Sequence, residues 1–147
     1  MGLDWVRVDG KSMYPFLQPG ELIGIRWLKT KEKLNLKLGD LVLGRSEDQT
    51  WVVHRVIRLI YNDRIEPFPY WIKGDRAIVK DELSKYQVWG KVIGIQIKNH
   101  QTPFFFKPNS LDRCIAILSR MSISSSPVGR VAKKLTPLLS RMRRKLL

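Results

Sequence analysis

The sequence predicts a small all-β protein, a coiled antiparallel sheet or partly open barrel, followed by a basic helical extension at the C-terminus. Two observations support this fold class. Before about residue 99, apolar residues alternate or form short β-branched runs bounded by glycine, proline, asparagine or aspartate. After about residue 109, apolar residues recur at helical spacing and the charge is mostly basic.

The expected strands are short and closely spaced. Turn signals precede two of them, at Pro19-Gly20 and at Leu38-Gly39-Asp40, because glycine and proline favour tight reversals of the chain. Short strands joined by tight turns favour a small coiled sheet or partly open barrel. The predicted strands cover residues 22–25, 41–43, 51–53 with 56–57, 70–72 and 88–97.

A change of composition divides the chain. Residues 1–99 form the predicted β domain, residues 100–109 a linker, and residues 110–147 a basic helical tail. In the tail, Ser110 is a suitable N-cap for a short helix over residues 111–121. Residues 107–147 carry a net charge of +9 out of +14 for the whole chain, so the tail is the main basic element.

A second, longer helix is predicted to begin at Pro127, with Ser126 as its N-cap. Pro137 lies inside it and is expected to kink or divide the helix near Thr136, since proline lacks the N–H of a helical hydrogen bond. The apolar residues share one face of this helix. They are Val128, Val131, Leu135, Leu138, Leu139, Met142 and Leu146.

Three interpretations of this basic amphipathic helix stay open. Residues 127–147 can lie peripherally on an anionic membrane surface, bind an acidic partner, or pack on the β domain with their basic side in solvent. Nucleic acid is not an expected partner of the chain.

No run approaches the roughly 20 apolar residues of a membrane span, and an N-terminus containing Asp4 does not resemble a secretion signal. We therefore expect a cytoplasmic protein, at most peripheral on the inner membrane surface.

Composition also limits the chemistry. Cys114 is the only cysteine, so neither an intrachain disulfide nor a cysteine-based metal site can form. The two histidines, His54 and His100, are too few to build a metal site without cysteine. We expect no metal and no cofactor.

Three segments together contain the parts of a nucleophilic catalytic site. Ser12 lies in a bend bounded by Gly10 and Pro15, His54 lies in an apolar strand 42 residues later, and Asp75 follows Lys73-Gly74 in a turn. A serine hydroxyl needs a base to take its proton, and an imidazole titrates near neutral pH. Each residue alone has an ordinary structural explanation: a turn serine, a core histidine and an exposed turn aspartate. Their order and spacing favour a nucleophile, its general base and an orienting acid.

These motifs resemble those of the signal peptidase I family and the related repressor-type serine peptidases, over about residues 8–97. The similar segments are Ser12-Met13-Tyr14-Pro15, Gly39-Asp40, Val53-His54-Arg55-Val56 and Lys73-Gly74-Asp75. The histidine in the third motif is similar to the branch found in the endoplasmic reticulum, archaea and some spore-forming bacteria. The resemblance implies the peptidase catalytic core for residues 1–99.

The resemblance also implies roles: Ser12 as nucleophile, His54 as general base, and Asp75 or Asp81 as the acid that contacts His54. We expect Asp75, because the Gly74 turn can aim it. The family commonly has a hydroxyl residue where this chain has Gly10, so the backbone amides of Lys11 and Ser12 are expected to hold the oxyanion.

We therefore expect a serine endopeptidase that cleaves a leader or signal peptide, or a small protein, through an acyl-enzyme. The family's membrane anchor is missing from this sequence, which leaves the substrate open, and a preference for small residues is only implied by the resemblance. The alternative is an inactive peptidase-fold binding module whose basic tail contacts lipid or nucleic acid.

Overall fold

The structure, a computed structural model, describes residues 3–147 except 34, 47, 60–69, 78–79, 84–86 and 99–102, and excludes the side chains of 30 and 81–83. Its largest element is an antiparallel β-sheet with the strand order β1-β2-β7-β3-β4-β5-β6, and β8 pairs with β7. Among the described strands, the sheet is open and does not close into a barrel. The strands are β1 (Asp4–Arg7), β2 (Leu22–Trp27), β3 (Leu41–Arg45), β4 (Trp51–Leu59), β5 (Tyr70–Lys73), β6 (Asp81–Leu83), β7 (Val88–Gln96) and β8 (Phe104–Phe105).

Three helices complete the described fold: α1 (Thr30–Lys33), α2 (Ser110–Met121) and α3 (Pro127–Lys145). The N-cap of α2 is Asn109 and not Ser110, because Asn109 and Asp112 form a reciprocal capping box. Ser126 caps α3 as predicted, through a hydrogen bond from the Gly129 amide. The expected division near Pro137 is wrong, since α3 runs through this residue. None of the described helices is long and apolar enough to cross a membrane.

The predicted linker belongs in part to the β domain. Phe105 pairs with Gly94 of β7, which adds β8 to the sheet. The next residue, Phe106, is buried, and its ring meets the Phe16 ring edge-on at 5.7 Å between centroids. The backbone pairing of Phe105 and the buried Phe106 side chain therefore anchor this segment to the β domain and bring α2 close to the sheet. Residues 100–102 lie outside the described part.

Helices α2 and α3 pack on each other, and α2 packs on β4. The buried face of α3 consists of small and polar residues, and the apolar face is largely exposed. Helical spacing identified the two faces of α3, but it did not predict which of them is buried. The buried residues of α3 are Gly129, Ala132, Thr136, Ser140 and Arg143.

Candidate active site

Ser12 lies at the start of a turn that is anchored in the core. Met13, Phe16 and Leu17 are all buried, and the amides of Phe16 and Leu17 donate to the Met13 carbonyl at 2.9 and 3.1 Å. Ser12 itself is half-buried. The apolar residues that follow it therefore hold the serine against the sheet without covering it.

The Lys73-Gly74-Asp75 turn packs directly against Ser12. The Arg76 amide donates to the Ser12 carbonyl at 2.8 Å. A Cβ atom at position 74 would lie 2.5 Å from the Ser12 carbonyl oxygen and 2.8 Å from the Ser12 Cβ. A Cβ at this distance would displace the Ser12 backbone, so the absence of a side chain at Gly74 lets the turn pack closely on Ser12.

His54 lies on β4, where it pairs with Val42 of β3 and is 6% exposed. On its other side β4 pairs with β5, and Arg55 is the partner of Lys73. β5 ends at Lys73, so the turn that contains Gly74 begins just beyond the strand, beside the part of β4 that contains His54. This turn packs on the Ser12 backbone, while the buried residues that follow Ser12 pack on the Arg55 face of the sheet.

Ser12 and His54 line one cavity of about 1100 Å³. In the described part of the chain, Ser12 makes no hydrogen bond to His54, and the amides of Lys11 and Ser12 donate to no protein acceptor. Catalytic hydrogen bonds often tighten only when substrate is bound. The apolar walls of the cavity include Val6, Val8, Met13, Leu17, Leu43 and Val53, with Trp27 and Trp51.

Asp75 lies on the opposite face of the sheet from the one expected. Its Oδ1 accepts from Arg55 Nε at 2.9 Å, and its Oδ2 accepts from Arg55 Nη2 at 3.0 Å and from Ser140 Oγ at 2.7 Å. Neighbouring residues of a strand point to opposite faces, so a carboxylate that binds Arg55 lies away from His54. The contacts of Asp75 correct the expectation that this residue orients the base.

Asp81, the second acid implied by the resemblance, begins β6, and its backbone pairs with Ile72 of β5. Its side chain lies outside the described part of the structure.

Arg55 is the centre of a buried charge network. Besides Asp75, it binds Asp112 of α2 through Nη1 and Oδ1 at 2.8 Å, and Arg143 Nε of α3 binds the other oxygen of Asp112 at 2.8 Å. Burial alone would lower the pKa of Arg55, but Asp75 and Asp112 raise it above its usual value. The network thus holds two cations and two anions and joins both helices to the sheet.

A second contact joins α3 to the Ser12 segment. Arg144 Nη1 donates to the Phe16 carbonyl at 2.7 Å, and its guanidinium forms an ion pair with the buried Glu21 at 2.5 Å. No sequence pattern marks Arg55, Asp112, Ser140 or Arg144 as residues that support the site. Arg55 follows His54 in an apolar strand, which is the one sequence signal for the network. An arginine buried there requires carboxylate partners.

Gly74→Ala is expected to destabilise the protein by about 1–3 kcal/mol, because the new methyl group would push the Ser12 backbone out of place. Gly10→Ala is the matched control, since a Cβ at position 10 meets no atom within 4 Å. Urea denaturation of both variants measures the difference. Equal midpoints for the two variants would contradict the close packing of Gly74 on Ser12.

Lys73 is buried on the helix side of the sheet, where its ammonium donates to Ser119 Oγ of α2 at 3.1 Å. Burial lowers the pKa of Lys73 from 10.5 to about 8; Asp75 acts in the opposite direction and Lys133 in the same one. Between these two values the unfolded chain binds a proton that the native protein lacks, so stability rises with pH in this window.

Lys73→Met should remove this rise. Between pH 8 and pH 10, we expect the free energy of unfolding of the wild type to increase relative to that of Lys73→Met. Urea denaturation at each pH measures both free energies. The difference between the two proteins isolates Lys73 from Lys33, whose burial also lowers its pKa. Parallel profiles for the two proteins would show that Lys73 titrates normally.

The described geometry brings Ser12 and His54 to one cavity, packs Gly74 on the Ser12 backbone, and places Asp75 in a structural network. The chain matches no protein-family model, no curated protein and no solved structure. Its expected activity is therefore supported by this geometry and by the resemblance of its short motifs.

Proposed function

We propose that the protein is a serine endopeptidase of the signal-peptidase type with Ser12 as nucleophile and His54 as general base. The observation that carries this proposal is that both residues line one cavity, beside a glycine whose replacement by a larger residue would displace Ser12. A core histidine with only a structural role would have no need to share an open cavity with a serine. The buried turn after Ser12 would also keep the hydroxyl from moving away during attack.

In the proposed mechanism, Ser12 Oγ attacks the scissile carbonyl while His54 takes the hydroxyl proton. The amides of Lys11 and Ser12 donate to the oxygen that becomes negatively charged, and one such donor is worth around 3 kcal/mol of barrier. His54 then protonates the leaving amine, and the C–N bond breaks. Water, deprotonated by His54, then attacks the acyl ester. The ester C–O bond breaks, Ser12 Oγ receives the proton from His54, and the new C-terminal carboxylate leaves.

Asp81 is the acid that we propose as the partner of His54, since Arg55 and Ser140 already engage the carboxylate of Asp75. Asp81→Asn should then lower turnover with little loss of stability. Asp75→Asn should mainly destabilise the fold, because it disrupts the network around a buried arginine.

The proposed substrate is a peptide segment that enters the cavity in an extended form. Its mostly apolar walls suit an uncharged segment, and the resemblance implies small residues next to the cleaved bond. A leader or signal peptide, or a short segment of a small protein, meets both conditions.

A biotinylated fluorophosphonate tests the nucleophile without knowledge of the substrate. After incubation and digestion, mass spectrometry should find the adduct on Ser12, and His54→Ala should slow its formation. Ser125→Ala is a control, because Ser125 is an exposed serine in the loop between α2 and α3. Modification spread over several serines, or equal labelling rates with and without His54, would reject the proposal.

The alternative function is an inactive binding module, and the exposed basic residues of α3 are the observation that favours it. A module that binds nucleic acid through this tail would show affinity that falls steeply with salt. It would also keep its biological activity when Ser12 is replaced by alanine.

A further inference from the structure

Helix α3 carries an apolar stripe that faces solvent along its whole length. The stripe residues, spaced three or four apart, are between 38% and 69% exposed, although a helix of a globular domain normally buries its apolar face. At 19 residues, α3 is about 28 Å long. The stripe residues are Val128, Val131, Leu135, Leu138, Met142 and Leu146.

The orientation of α3 is set by polar contacts on its other side. Ser140 binds Asp75 at 2.7 Å, and Arg143 binds Asp112 at 2.8 Å, both with fully buried carboxylates. Turning α3 to bury its apolar stripe would break these contacts and leave Asp112 beside a single arginine. The fold therefore keeps the stripe on the outside.

The apolar surface continues onto α2. Met121 and Ile117 are 39% and 50% exposed, and an apolar groove of about 320 Å³ runs between the helices, lined in part by Leu118, Met121 and Val131. Contiguous apolar surface of this kind on a soluble domain usually marks an interaction site.

A row of basic residues borders the stripe. Arg130, Lys134, Arg141 and Lys145 are all exposed, and each is adjacent in sequence to a stripe residue. Residues 127–147 contain seven basic residues and no acidic one. Such a charge pattern is complementary to an anionic surface, and an apolar face beside a basic row is typical of helices that lie in a membrane interface.

We propose that α3 binds an anionic lipid bilayer in the plane of its surface. The stripe from Val128 to Leu146 enters the boundary between headgroups and acyl chains, and the basic row contacts the phosphates. This surface goes beyond the proposed peptidase activity and does not depend on it, because Ser12 and His54 take no part in the contact.

Vesicle co-sedimentation of the full chain tests the proposal, with vesicles of phosphatidylcholine alone or with 30% phosphatidylglycerol in physiological salt. We expect strong binding only to the anionic vesicles. Lys134→Gln with Arg141→Gln should weaken binding by roughly 25-fold, since each basic residue at such a surface contributes about fivefold. The combined variant Val131→Asn, Leu138→Asn and Met142→Asn should weaken it by more than about tenfold, because it removes the inserted apolar groups.

The matched control for charge is Lys29→Gln with Lys31→Gln, which removes two exposed cations outside α3 and should leave binding within about twofold of wild type. Circular dichroism confirms that each variant is folded. Equal binding by the apolar triple variant and wild type would overturn the proposal, since contact would then be electrostatic only. A wild-type dimer in analytical ultracentrifugation that the triple variant abolishes would also overturn it, because a second copy would then cover the stripe.

Discussion

Ser12→Ala should lower peptide turnover by on the order of 10⁴- to 10⁶-fold, because it removes the only group that forms the acyl-enzyme. His54→Ala should cause a loss of similar size, since the Ser12 hydroxyl is a weak nucleophile without a base. Replacing both residues should cost little more than replacing one, as expected for groups that act as a unit.

Turnover is measured with a peptide library incubated with each variant, and the products are identified by mass spectrometry. Ser125→Ala and His100→Ala are the matched controls, and both should cleave the library at the wild-type rate. Full cleavage by Ser12→Ala would reject the proposed mechanism. Inactivity of the wild type towards every peptide, together with no labelling of Ser12 by the phosphonate, would favour the binding-module alternative.

Asp112→Asn should destabilise the protein by about 3–5 kcal/mol, the effect expected when one partner is removed from a buried ion pair. Asp112 is fully buried, and its two oxygens bind Arg55 and Arg143 at 2.8 Å each. With asparagine at position 112, Asp75 would be the only carboxylate left in the network to balance the charges of Arg55 and Arg143. Asparagine keeps an oxygen that can accept the hydrogen bond from the Asn109 amide. The loss of stability should therefore come mainly from the removed negative charge.

The free energy of unfolding from urea denaturation measures this effect, with Asp9→Asn as the control because Asp9 is exposed. Adding Arg143→Met to Asp112→Asn should recover part of the loss, since one cation and one anion then remain. Additive effects of the two substitutions would mean that the residues do not interact, contrary to the geometry.

Local sequence patterns predicted much of the fold. Each strand expected from alternation or short β-branched runs appears in the sheet, and both predicted tail helices appear as α2 and α3. The patterns did not predict β1, β6 and β8, which are only four, three and two residues long. Strands of this length are too short for a periodicity, and they depend on pairing with a neighbouring strand.

The candidate site was predicted only in part, for a related reason. Ser12 and His54 could be named because a glycine- and proline-bounded bend and a strand histidine are local features. The true partners of Asp75 could not be, because Arg55 and Ser140 lie 20 and 65 residues away in sequence. The sequence predicts only a turn at Gly74, because its close approach to Ser12 joins two segments that are distant in sequence.

The sequence by itself determined which residues form strands or helices and which residues of α3 share a face, because these properties follow from backbone geometry at short range. Only the tertiary structure decided which face is buried. A buried Arg55 needs carboxylates, and Asp112, 57 residues away, meets this need only when α2 packs on the sheet and α3 turns its small and polar side inward. Apolar periodicity contains no information about such a distant charge, and for this reason it could not decide whether the apolar stripe of α3 is exposed or packed on the β domain.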